Sequence, residues 1–92
     1  MNDLTKHAQR RALQRGIPFV IVQLLQAYGE ERHDKRGGVI RYFSHSSVRQ
    51  LGRDAGREMV RRINKYRRTY IVEGLDDGSV ITTGWRAKRI KS

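Results

Sequence analysis

Residues 69–85 read TYIVEGLDDGSVITTGW, and the middle of this stretch is a turn. Asp76-Asp77-Gly78 supplies side chains that hydrogen-bond their own backbone and a glycine free to take positive φ, between two runs of β-branched and aromatic residues. A β-hairpin is therefore expected, with strands at Thr69–Leu75 and Ser79–Trp85. Ile71, Val80, Ile81 and Trp85 give it apolar surface to lay on helices, which predicts an antiparallel sheet covered on one face.

Upstream of the hairpin, Val48, Leu51, Ala55, Met59, Ile63 and Tyr66 recur at steps of three and four residues. This spacing predicts one long third helix, with Ser46 or Ser47 as its cap. Gly52 and Gly56 lower its helical propensity, and close backbone packing is one reason to keep them. Before it, Arg32 to Arg36 and Val39 to Phe43 flank Gly37-Gly38 and read as two strands joined by a tight turn.

The N-terminal third reads as an αα-hairpin. Thr5 is placed to cap a first helix with an apolar stripe of Leu4, Ala8, Ala12 and Leu13, ended by Gly16. Pro18 suits the first position of a second helix carrying Ile21, Leu24, Leu25 and Tyr28, with Gly29 as its stop. The fold class expected is α+β, in the order α-α-β-β-α-β-β, with the αα-hairpin and a long third helix packed on one face of a small curved antiparallel sheet. Ninety-two residues support one hydrophobic core and not two. One domain is expected over 1–92, with 86–92 readable as a basic tail.

Composition narrows the partners. Twenty Lys plus Arg against nine Asp plus Glu give a net charge of +11, a density that repels further copies of the chain and attracts phosphates. With no cysteine, disulfides, thiolate-bound zinc and a thiol nucleophile are excluded. His33 and His45 lack the spacing of a metal site, so no metal or other cofactor is expected. MNDLTKHAQRRALQRG has no apolar run of signal-peptide type, and the longest apolar stretch, residues 17–25, is too short for a bilayer. A cytoplasmic protein with no membrane partner is expected.

The cations fall into three tracts. Arg49, Arg53, Arg57, Arg61 and Lys65 step by four along the expected third helix, and residues 49–68 hold eight basic residues against two acidic. Too few carboxylates are present to neutralise this stripe, which favours phosphate binding over a solvated face of ion pairs. His7, Arg11 and Arg15 share one face of the first helix. There a neutral imidazole could take the proton of a ribose 2′-hydroxyl while guanidinium stabilises charge on phosphorus, although a lone surface histidine is more often inert. The third tract, Thr82, Thr83, Trp85, Arg86, Lys88 and Arg89, joins hydroxyls, cations and one indole face, a set that suits phosphates and a stacked base. Core packing of the only tryptophan is the favoured alternative for Trp85.

HAQRRALQRGIP at 7–18, VQLLQAYG at 22–29 and DDGSVITTGWRAKRI at 76–90 together resemble a small bacterial protein family. That family in turn resembles the RelE/BrnT-like endoribonucleases, the toxins of toxin-antitoxin pairs. The resemblance implies metal-independent RNA cleavage on the open face of the sheet, with free or ribosome-associated RNA left open as the substrate, and an acidic antitoxin as protein partner. It implies one shallow catalytic site of His7, Arg11, Thr82 and Arg86 or Lys88; the charge and spacing described above assign Arg15, the third-helix cations, Trp85, Lys88 and Arg89 to nucleic-acid binding. The pattern carries a histidine where this chain has Trp85; if that histidine is the catalytic acid, this chain binds RNA without cutting it efficiently. Three functions stay open: a toxin-type endoribonuclease, a non-catalytic nucleic-acid adaptor, and a cationic module for an acidic protein.

Overall fold

The structure is a computed structural model and describes residues 4–87. It is an α+β fold: α1 (Lys6–Gln14), α2 (Phe19–Tyr28), β1 (Glu30–His33), β2 (Gly38–Tyr42), α3 (His45–Ala55), α4 (Arg57–Ile63), a 3-10 turn (Asn64–Tyr66), β3 (Thr69–Gly74) and β4 (Val80–Trp85). The strands form one antiparallel sheet in the order β1-β2-β3-β4. The expected order of elements holds, except that the third helix is divided. Among the described residues, no helix is long and apolar enough to cross a membrane.

The 69–85 stretch forms the expected hairpin, with Ile71 opposite Thr83 and Val72 opposite Thr82. Residues directly opposite on antiparallel strands share a face. Thr69, Ile71, Thr83 and Val80 are fully buried against the helices, whereas Ile40, Tyr70, Val72 and Thr82 alternate onto the other face and keep part of their surface in solvent. Glycine is needed at Gly78, where φ is 70°, and the Asp77 carboxylate accepts the Ser79 N–H at 2.9 Å, which holds its pKa below the ordinary aspartate value.

Thr5 is the N-cap of α1 and does more. Its hydroxyl accepts the Ala8 N–H at 3.1 Å and donates to the Ile81 carbonyl at 3.2 Å, while its own N–H donates to the Val80 carbonyl at 3.0 Å. One residue therefore caps the helix, covers the free edge of β4 and lays α1 along that strand. Ala8 and Ala12 are buried there, since small side chains let helix and strand approach closely. Leu13 does not join them: it is 85% exposed, because only a narrow strip of α1 meets β4.

One expected turn and one expected helix cap are built differently. The first strand begins at Glu30, and the turn before β2 rests on Asp34, whose Oδ1 accepts the Arg36 N–H at 2.7 Å and the Gly38 N–H at 2.9 Å. Those bonds lower the Asp34 pKa and hold Lys35 (φ 64°) and Gly37 (φ 86°) in the left-handed region. The cap of α3 is Ser44, in a reciprocal box with Ser47, not Ser46 or Ser47. Glu30 reaches the same helix start: it accepts from Tyr42 Oη at 3.1 Å and Ser46 Oγ at 3.2 Å. The Ser44, Tyr42 and Ser46 hydroxyls hold its carboxyl below the ordinary glutamate range, in that order of effect.

The expected long helix breaks at Gly56, where φ is 91° and ψ is 170°. That conformation is open essentially to glycine alone. The chain turns a corner, and α4 comes back against α3 so closely that a Cβ on Gly52 would lie 3.3 Å from Val60 Cγ2. The three- and four-residue apolar spacing survives the corner because Leu51 on α3 and Ile63 on α4 enter the same core as Leu25, Val22 and Ile71.

Candidate nucleic-acid interface

The corner at Gly56 creates an open cleft of about 820 Å³ between α3 and α4. Val48, Gly52 and Val60 form its apolar floor, and His45, Arg49, Arg53, Arg57 and Arg67 surround it. Among the described residues no carboxylate pairs with any of these four arginines. The nearest acid in sequence, Asp54, is engaged elsewhere: it accepts from Gln50 Nε2 and from Tyr28 Oη, each at 3.0 Å. The bond to Asp54 raises the Tyr28 pKa. Arg53 donates to the neutral Gln50 Oε1 at 2.7 Å and keeps its net charge uncompensated. Arg67 Nε is buried without a hydrogen-bond partner, so part of that guanidinium has left water without a counter-ion. Four uncompensated guanidinium groups around one concavity raise the local potential and favour an anion with several oxygens.

The five-residue cationic stripe is thus not one face. Arg49 and Arg53 sit on α3 and Arg57 on α4 around this cleft, but Arg61 and Lys65 line a second groove against α2. Arg67 takes their place. It lies off the four-residue spacing, and only the turn at residues 64–66 brings it to the cleft.

The α1 tract is assembled in part. His7 and Arg11 are neighbours one turn apart, Arg11 Nε donating to His7 Nε2 at 3.4 Å. Arg15 instead turns to β4, where Nη1 donates to the Thr83 carbonyl at 3.0 Å. The guanidinium occupies the space a side chain on Gly84 would fill: a Cβ there would overlap Arg15 Nη1 and lie 3.0 Å from Tyr70 Oη.

The described members of the strand-end set are each placed by contacts of their own. Thr82 sits mid-strand opposite Val72. Arg86 donates to the Arg67 carbonyl at 3.2 Å and the Phe43 carbonyl at 3.5 Å, with its guanidinium 5.5 Å from the centre of the Tyr42 ring. Such bonds make Arg86 a tie between the end of β4 and two loops. Trp85 is neither core nor free: it is 42% exposed, donates Nε1–H to the Arg15 carbonyl at 2.8 Å, and packs on Tyr66 at 5.8 Å between ring centres. Lys88 and Arg89 lie outside the described residues.

No protein-family model, curated protein or solved structure matches this chain.

Proposed function

We propose that this protein binds RNA through the cleft between α3 and α4, as a small basic protein of the cytoplasm. The observation that carries this reading is the ring of Arg49, Arg53, Arg57 and Arg67 without a carboxylate partner among the described residues. These arginines face one another across a concavity between two short helices and do not project from one continuous helix. A flexible single strand can enter such a cleft, whereas a duplex groove is read by a helix that stands clear of its neighbours. Val48 and Val60 on the floor offer an apolar seat for a base while the guanidinium groups take phosphates.

The test is equilibrium binding of a labelled single-stranded RNA over a range of salt. Affinity is expected to fall steeply with salt. Arg53→Ala with Arg57→Ala together should weaken binding and make the log–log slope shallower by about 0.7 for each phosphate that is no longer neutralised. A flat salt dependence, or a double variant indistinguishable from the parent, refutes the cleft. Duplex DNA of the same sequence is expected to compete poorly.

A second reading, a metal-independent endoribonuclease of the toxin type, is favoured by one observation, the His7 to Arg11 hydrogen bond on an exposed helix face. An imidazole base beside a guanidinium supplies two of the groups that 2′-hydroxyl attack on phosphorus needs. Cleavage of RNA in EDTA should then be abolished by His7→Ala and retained in Arg86→Lys, because Arg86 is bound to backbone carbonyls. Binding with no cleavage leaves the adaptor reading alone.

A further inference from the structure

Arg61 and Lys65, which leave the RNA cleft when the third helix breaks, line a second groove of about 570 Å³ between α2 and α4. Its character differs from that of the first. Pro18, Val20, Ile21, Leu24 and Met59 make an apolar wall, and Arg61, Arg62 and Lys65 stand along the side that α4 and the 3-10 turn provide. Val20 is 50% exposed, and its neighbour Phe19, at the start of α2, is 57% exposed. Tyr66 also lines it, with Trp85 packed on its ring and Lys65 Nζ 5.4 Å from the ring centre. One weak tie, Arg61 to Glu58 at 3.8 Å, offsets only part of this charge.

Exposed aliphatic and aromatic side chains gain nothing from a phosphate chain, but they are covered well by the apolar face of an amphipathic helix. The cations beside them set the sign of the opposite face. A second copy of this chain would bring a net charge of +11 against the same cations. We infer that the groove between α2 and α4 docks an acidic amphipathic helix of another protein, its apolar side chains on Val20, Leu24 and Met59 and its carboxylates against Arg61, Arg62 and Lys65. This surface is separate from the α3/α4 cleft, and its occupancy does not depend on RNA binding.

Trp85 is the only tryptophan and packs on Tyr66, which lines the groove, so its fluorescence is the readout of occupancy. The probe is a synthetic helix of about four turns with leucine at i, i+3, i+4 and i+7 and glutamate elsewhere, compared with a scrambled peptide of identical composition. The amphipathic peptide is expected to change Trp85 emission saturably and the scrambled one to bind at least about tenfold more weakly. Val20→Asp, at a half-exposed position, and Lys65→Glu should each weaken the peptide about tenfold while leaving RNA affinity within about twofold and the unfolding midpoint close to the parent's. Equal binding of both peptides would reduce the effect to charge and overturn the proposal, as would displacement of the peptide by RNA. Self-association of the parent chain that Val20→Asp abolishes would make a second copy the occupant and overturn it too.

Discussion

Replacing Arg41 by leucine is expected to destabilise the protein by about 3–5 kcal/mol, more than any surface substitution, because Arg41 joins three elements from within the sheet. Its Nε bonds Glu73 on β3, its Nη2 bonds Glu31 on β1 at 2.7 Å, and its Nη1 donates to the Gly29 carbonyl at the end of α2 at 3.2 Å. Glu73 is 8% exposed. Without Arg41 its carboxylate stays in the sheet uncompensated, and the α2 carbonyl loses its donor. Urea or thermal unfolding measures the loss, equivalent to a fall in Tm of more than about 12 °C for a domain of this size. The double variant Arg41→Leu with Glu73→Leu should recover most of it, because removing both charges also removes their desolvation. A single variant that loses less than about 1 kcal/mol would mean that the pair is solvated and that the sheet does not depend on it.

Gly56→Val is expected to damage both stability and RNA binding. At φ 91° and ψ 170° a β-branched residue is strained by about 1–3 kcal/mol. Open space surrounds the position, so the backbone and not a clash sets this cost. The chain can relieve the strain by straightening the corner into continuous helix, which pulls Val60 away from Gly52 and carries Arg57 away from Arg49 and Arg53. RNA affinity should then fall on the order of tenfold or more, since the cations no longer meet one strand. Unfolding and RNA titration on the same preparation separate the two effects. A variant with parental stability and parental affinity would show that the corner is dispensable and would remove the cleft as the RNA site.

Much of the fold is legible in the chain itself. The 69–85 hairpin can be read because Asp-Gly turn chemistry and β-branched flanks act locally, and the start of α1 because Thr5 satisfies a helix N–H three residues away. The break in the third helix cannot. Its apolar spacing runs unbroken through Gly56, since both arms bury their side chains in one core and a corner leaves that pattern intact. Leu13 escapes its expected packing for a related reason: periodicity tells which residues share a helix face, not how wide a strip the neighbour covers.

The sites divide in the same way. The charge, the excess of arginine over carboxylate in residues 49–68, and the one-turn spacing of His7 and Arg11 follow directly from the sequence, because all are properties of composition and helical pitch. Which cations meet is settled only by folding, which adds Arg67 to Arg49, Arg53 and Arg57, sends Arg61 and Lys65 to the groove beside α2, and ties Arg15 and Arg86 to backbone carbonyls. The reason is that a guanidinium can be satisfied by any acceptor that folding brings near, and the acceptors and corners that matter here lie many residues from the arginines they govern.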